Sequence, residues 1–180
     1  TQYNESLTQL LDNAPLKTVP VSESGAFNAQ SSVIEIDGWQ KYAVAYKINL
    51  SEGTTVQIDN MSNDFDAYLY IYVKTGDGYE LKATDDDGGN QLNARIFYAE
   101  QTTGDYYIIA KHNGELRTGQ FTITVQNKVL KSLPDFLDAT TNTINLTSTP
   151  LFSDDGTFTD QSALIDFGNG SYAFGVAYKI

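Results

Sequence analysis

The sequence predicts an all-β protein, an antiparallel sandwich or barrel. Short strands recur about every ten residues, apolar and polar residues alternate within them, and Gly and Asp occupy the turns between them. The alternation is clear in KYAVAYKINL (41–50), where one strand face carries Tyr42, Val44, Tyr46 and Ile48.

The first elements in the chain are less regular. Residues 1–30 have little periodicity and are expected to lead into the domain, although SLTQLLD (6–12) predicts a short helical turn with Ser6 as its N-cap. TTVQID (54–59) follows a Ser-Glu-Gly turn, so it is predicted to be the hairpin partner of the strand at 41–50.

The remaining strands follow at regular intervals. AYLYIYV (67–73) has Leu69, Ile71 and Val73 on one face and tyrosines on the other, and a Gly-Asp-Gly turn joins it to a returning strand, YELKAT. After a loop at 85–90, three further strands are predicted within residues 94–100, 102–112 and 120–126.

Composition excludes several classes of function. The 180 residues include 23 acidic and 11 basic ones, a formal net charge of −12, which disfavours nucleic acid and anionic membrane surfaces as partners. The chain has no cysteine, so disulfides, thiolate zinc sites and cysteine nucleophiles are excluded. No apolar run approaches the roughly 20 residues that span a bilayer. The frequent Tyr, Thr, Asn, Asp and Gly are typical of exported bacterial β-proteins, so a secreted or cell-surface location is expected.

An internal repeat predicts tandem domains. VAYKI at 44–48 recurs at 176–180, and AQSSVIEIDG (29–38) is echoed by DQSALIDFGNG (160–170). These echoes divide the chain into a sandwich at 31–126, a linker at 127–142 and a partial second copy at 143–180, which is expected to stop within a strand. Its strand edges are expected to be covered, either by addition to the first domain or by exchange with a second molecule.

Five motifs in order make residues 33–126 similar to the bacterial pre-peptidase C-terminal domain, the PPC domain. They are YKINLSEGTTVQID, NDFDAYLYIYV, DDDGG, TTGDYYIIA and GQFTITV. The resemblance implies a jelly-roll-like antiparallel β-sandwich with an accessory, non-catalytic role in a secreted enzyme or surface protein. It also implies relatives that bind calcium or polymers such as collagen and polysaccharide.

Two acidic stretches form a candidate metal site. Asp64 and Asp66 precede the strand at 67–73, and a nearby loop carries Asp85, Asp86 and Asp87, so five carboxylates could converge on a calcium ion. The spacing does not match an EF-hand. The alternative is that Asp64 and Asp66 form Asx-turns that fix the start of the strand. Carboxylate catalysis would require a cleft around these acids.

Aromatic residues form a candidate ligand site. Trp39, in a turn, and the strand face of Tyr68, Tyr70 and Tyr72 could stack on sugar rings or peptide side chains. The alternative is that the tyrosines cover a sheet face with their hydroxyls at its rim. His112 is the single histidine and is predicted to be a loop residue, since no Gly-x-Ser-x-Gly motif accompanies it.

These observations favour a non-catalytic, secreted or cell-surface module that acts as an adhesive or spacer domain and weakly binds an extracellular polymer or protein surface. Calcium is the one cofactor that the acidic stretches indicate. The alternative is the accessory, substrate-targeting domain of a secreted hydrolase, a protease or glycosidase whose catalytic domain lies outside these residues.

Overall fold

The computed structural model describes residues 4–99, 102–132, 163–166 and 172–175. The chain divides into two compact units, Thr1–Asn127 (unit 1) and Lys128–Ile180 (unit 2). The elements in chain order are β1 (Asn4–Glu5), α1 (Leu7–Asp12), β2 (Leu16–Lys17), β3 (Val21–Phe27), β4 (Val33–Ile36), β5 (Trp39–Leu50), β6 (Thr55–Met61), β7 (Ala67–Thr75), β8 (Gly78–Asp85), β9 (Ala94–Ala99), β10 (Gly104–His112), β11 (Gly119–Lys128), β12 (Leu130–Ser132), β13 (Ala163–Asp166) and β14 (Tyr172–Gly175).

Two sheets make unit 1 a β-sandwich. The larger sheet has the order β1-β4-β5-β10-β7-β8, with β2 also beside β5, and the smaller has the order β3-β11-β6-β9. Alternating apolar residues of both sheets meet in one core, and its fully buried members include Ile48, Ile58, Leu69, Ile108 and Ile123. The predicted all-β sandwich is confirmed.

A short helix covers the outer face of the larger sheet. In α1 the Ser6 hydroxyl accepts from Gln9 N, and the Gln9 side chain accepts from Ser6 N, which together make a capping box. Leu10 and Leu11 are buried against Ile34, Tyr70, Ile109 and their neighbours. The helix and its cap were predicted, but residues 4–27 also contribute three strands to unit 1, so they do more than lead into it.

The predicted pairing of β6 with β5 is wrong. β6 pairs with β9, from Thr55↔Ala99 to Asn60↔Ala94, and lies in the smaller sheet. The turn after β5, where Thr54 N donates to Ser51 O, therefore carries the chain from one sheet to the other. The edges of β5 are already taken by β10 on one side and by β4 and β2 on the other. The hairpin of β7 and β8 is confirmed.

Unit 2 contains a three-stranded sheet. β12 runs parallel to β13, and β13 pairs antiparallel with β14. The predicted linker beyond residue 132 and most of the predicted second copy at 143–180 lie outside the described residues. In the described part of the chain, no helix is long and apolar enough to cross a membrane.

Candidate functional site

Two of the five predicted aspartates are turn residues. Asp64 Oδ2 accepts from Gln120 N at 2.7 Å, which ties the turn before β7 to the start of β11. Asp85 Oδ2 accepts from Gly88 N at 2.7 Å and from Arg95 N at 2.8 Å, so it organises the loop after β8. Asp64 N itself donates to the Ser62 hydroxyl, and Ser62 was not among the residues predicted from the sequence.

The other three aspartates come together. Asp66, Asp86 and Asp87 each offer a carboxylate oxygen within 4.8 Å of the other two, and we call these three residues the acidic group. Asp66 precedes β7 and Asp86 follows β8. Because Leu69 pairs with Asp85 in the β7–β8 hairpin, the start of one strand lies beside the end of the other.

Asn113 links the acidic group to the loop after β10. Its Nδ2 donates to Asp66 Oδ2 at 3.3 Å and to Asp86 Oδ2 at 3.1 Å, and its backbone N donates to Asp66 O at 2.7 Å. Asn113 was not among the site residues predicted from the sequence. The missed signal is an amide side chain at the end of a strand that pairs with β7.

The electrostatics of the acidic group suit a cation. Burial, followed by the neighbouring charges of Asp66 and Asp87, raises the pKa of Asp86. Asp66 Oδ1 is buried and has no hydrogen-bond partner. An all-oxygen ligand set with one unsatisfied carboxylate oxygen matches the preference of calcium, which takes six to eight oxygen ligands. Three carboxylates supply part of that shell, so the residues present fit the ion.

A buried lysine lies close to the acidic group. Lys111 is 3% exposed, its Nζ lies 3.9 Å from the Tyr68 ring centroid, and within the described residues it forms no ion pair. Burial and the charge of Lys41 lower the pKa of Lys111 to about 8, against opposing contributions from Asp37 and Asp86. The charges of Asp86 and Asp66 act on Lys111, so its ammonium charge in turn opposes a divalent cation held by the acidic group.

The tyrosine face is covered. Tyr70 and Tyr72 are 2% and 7% exposed and pack in the cluster beneath α1, and the Tyr70 hydroxyl donates to the Asp37 carboxylate. Burial and this hydrogen bond strongly raise the pKa of Tyr70. These two tyrosines therefore offer no surface for stacking a ligand. The ring of Tyr68 is in contact with the ammonium group of Lys111. The face was expected to reach solvent because sequence alternation does not reveal that a helix lies over it.

Trp39 remains open to solvent. It follows a two-residue turn in which Asp37 and Gly38 both have positive φ, 53° and 77°, and its side chain is 64% exposed. Lys41 Nζ lies 5.9 Å from the ring centroid. The predicted ligand surface is thereby reduced to the indole of Trp39, because Lys41 itself is only 5% exposed.

The prediction that His112 is a loop residue is wrong. His112 ends β10, is fully buried, and meets the rings of Phe27, Tyr42 and Phe65 edge-on. Its Nε2 accepts from Tyr42 N at 3.0 Å, and its Nδ1 bonds Asn113 O at 3.1 Å. Burial lowers the pKa of His112, so the ring is neutral and both nitrogens are engaged.

The fold is similar to that of three solved bacterial structures. The pre-peptidase C-terminal domain of collagenase from Bacillus anthracis is 11% identical, with a TM-score of 0.48 over 63% of this chain and 95% of that one. PliG of Aeromonas hydrophila, a periplasmic inhibitor of g-type lysozyme, is 13% identical (TM-score 0.43, 70% and 100% covered). PliG of Salmonella Typhimurium, an inhibitor of the same kind, is 13% identical (TM-score 0.38, 71% and 100% covered). No family model matches the chain, and no curated protein matches it significantly.

Proposed function

We propose that unit 1 is a non-catalytic module of an extracytoplasmic bacterial protein, an adhesive or spacer domain that calcium stabilises. The observation that carries this proposal is Asp66 Oδ1, a buried carboxylate oxygen without a partner at the point where three carboxylates converge. A buried charged oxygen left unsatisfied is costly, and a bound cation removes that cost.

Calcium would be held by Asp66, Asp86 and Asp87. These residues belong to the start of β7 and the loop after β8, and Asn113 extends the connection to the loop after β10. A cation here joins three chain segments at one end of the larger sheet. It stabilises the folded state by mass action, because the unfolded chain does not gather the ligands.

The side chains near the acidic group support a non-catalytic role. Acid–base chemistry at this end of the sheet would need a titratable group open to a substrate. Both nitrogens of His112 are engaged in hydrogen bonds, and Lys111 is buried against Tyr68. Asp86 accepts from Asn113 Nδ2, an arrangement that positions its carboxylate within the loop.

Exposed Trp39 favours a second candidate function, that of a substrate-targeting domain of a secreted hydrolase. An indole that is 64% exposed on a two-residue turn presents a flat apolar surface, on which the rings of an extracellular polymer can stack. In this candidate the cation stiffens the module and Trp39 makes the contact.

Thermal melting of the full chain tests the proposed calcium site. We expect the melting temperature to rise by several degrees when calcium replaces a chelator, and this rise to disappear in Asp86→Asn. Asp77→Asn is the matched control, because Asp77 lies in the β7–β8 turn outside the acidic group and its loss changes the net charge equally. An equal rise in both variants, or none in the unmodified chain, would refute the site.

A further inference from the structure

The loop after β10 begins with an asparagine followed by a glycine. Asn113 and Gly114 come directly after His112, the last residue of β10, and Gly114 has a positive φ of 68°. Within the described residues, a Cβ atom at Gly114 would meet no atom within 4 Å. Because glycine has no side chain, its backbone nitrogen can approach the side chain of the preceding residue closely. This pair therefore combines an amide side chain with an unobstructed neighbouring nitrogen.

Hydrogen bonds hold the Asn113 side chain over its own following peptide. Its Oδ1 accepts from Gly114 N at 3.0 Å, and because Cγ is bonded to Oδ1, the same contact brings Cγ close to Gly114 N. At the other end of the amide, Nδ2 donates to Asp86 Oδ2 at 3.1 Å and to Asp66 Oδ2 at 3.3 Å. The amide is thus held in one orientation, so little rotational freedom remains to be lost when Gly114 N approaches Cγ.

We propose that Asn113 is a site of spontaneous deamidation. The Gly114 backbone nitrogen gives up its hydrogen to water and forms a bond to Asn113 Cγ. The bond between Cγ and Nδ2 breaks, and ammonia leaves with the transferred proton. Water then opens the resulting cyclic imide at one of its two carbonyl groups, which leaves aspartate or isoaspartate. Water is the co-reactant, and nothing is oxidised or reduced.

Deamidation changes the charge beside the acidic group. Either product carries a carboxylate, which accepts hydrogen bonds but cannot donate them, so the bonds from residue 113 to Asp66 and Asp86 are lost. A fourth negative charge beside the three aspartates destabilises the folded state when no cation is bound. With bound calcium, the new carboxylate supplies a further oxygen ligand. This last step rests on the proposed calcium site, whereas the deamidation itself does not.

Tryptic peptide mapping of the full chain tests the proposal. Trypsin releases Asn113 in the peptide from His112 to Arg117, and mass spectrometry distinguishes the amide from the carboxyl form. The chain is incubated at mildly alkaline pH, once folded and once unfolded in urea. We expect residue 113 to be converted at least as fast in the folded chain as in urea, because its side chain is already oriented for attack. Slower conversion in the folded chain, or none, would overturn the proposal.

Asn113→Gln is the matched control for the chemistry. Glutamine keeps the amide but adds a methylene, which enlarges the ring that must close, so residue 113 should remain an amide over the same incubation. Equal conversion of the two proteins would also overturn the proposal, because water would then hydrolyse the amide without help from Gly114 N.

Asn113→Asp tests the effect on the acidic group. In chelator it should melt several degrees below the unmodified chain, and calcium should recover most of this loss. Gln30→Glu adds the same charge to an exposed side chain between β3 and β4 and should leave the melting temperature unchanged. An unchanged melting temperature in Asn113→Asp would overturn the proposed effect. A loss that calcium does not recover would contradict the calcium site, whereas the peptide map decides the deamidation separately.

Discussion

Lys111 and Tyr68 face each other in register on β10 and β7, with the lysine Nζ 3.9 Å from the ring centroid. Burial destabilises the ammonium group, and the charges of Asp37, Asp86 and Asp66 oppose that effect only in part. The Tyr68 ring face also favours the charged form. Tyr68 lies two positions after Asp66, which directly precedes β7, so the buried charge and the acidic group occupy one end of the larger sheet.

Lys111→Met is expected to tighten calcium binding. Removing a positive charge near the acidic group should lower the dissociation constant by about fivefold, which corresponds to about 1 kcal/mol. Methionine keeps the apolar stem of the side chain, so the Tyr68 contact is largely retained. Calorimetric titration measures the change, with Lys82→Met as the control, since Lys82 is paired with Glu80 on β8. Weaker binding in Lys111→Met would mean that the lysine assembles the site.

Stability is expected to rise with pH between about 8 and 10. The pKa of Lys111 is lowered to about 8 in the folded protein, whereas a lysine in the unfolded chain keeps its ordinary pKa of 10.5. In that window the unfolded chain binds the extra proton, so the free energy of unfolding increases with pH by at most about 1.4 kcal/mol per unit. Above pH 10 the raised pKa of Tyr70 acts in the opposite direction, because the unfolded tyrosine loses its proton first.

Urea denaturation at several pH values checks this dependence. The slope between pH 8 and 10 should be shallower in Lys111→Met than in the unmodified chain. The lowered pKa of Lys41 contributes in the same direction and should leave part of the slope in place. Identical slopes in the two proteins would show that Lys111 titrates normally in the folded state.

Leu11→Ala is expected to lower the free energy of unfolding by about 2–4 kcal/mol, because it leaves a cavity between α1 and the larger sheet. Leu11 is fully buried beside Tyr70 and Tyr72. Leu16→Ala is the matched control, since Leu16 is 62% exposed and should change stability by no more than about 0.5 kcal/mol. Urea denaturation compares the two variants. Similar small losses would mean that α1 does not hold the tyrosine face.

Trp39→Ala is expected to reduce binding to an extracellular polymer about fivefold. A stacked aromatic ring contributes about 1 kcal/mol to the binding free energy, which corresponds to that factor. Co-sedimentation with insoluble polysaccharide and with fibrous collagen measures the bound fraction. Trp39→Tyr should retain part of the binding, and Leu92→Ala controls for loss of an exposed apolar side chain, because Leu92 is 56% exposed. Binding that is absent from the unmodified chain, or unchanged in Trp39→Ala, would contradict the second candidate function.

The sequence was sufficient for local structure and insufficient for long-range contacts. The alternation of β7 correctly separated Leu69 and Ile71 from the tyrosines, and the Ser6 cap correctly located α1. β6 joins the smaller sheet because β10 and β4 already pair with the two edges of β5. The local sequence of β5 and β6 does not indicate this. His112 is buried by rings that are distant from it in sequence, so its surroundings could not be inferred from its neighbours.

The acidic group was predicted only in part, because its membership also depends on long-range contacts. Asp66, Asp86 and Asp87 were among five candidates, and hairpin register brings these three together. Asp64 and Asp85 are held by backbone amides of β11 and β9 and of the adjoining loop, contacts that require the folded sheets. Asn113 and Lys111 were not predicted to lie near Asp66, because only the pairing of β10 with β7 brings these residues together.

The most direct test of the central claim is calorimetric titration of calcium into the chelator-treated full chain, alongside Asp66→Asn. We predict saturable binding of one ion to the unmodified chain and loss of that binding in the variant, whose amide cannot supply the missing charged oxygen. No heat of binding in the unmodified chain, or equal binding in both proteins, would contradict the assignment of Asp66, Asp86 and Asp87 as a calcium site.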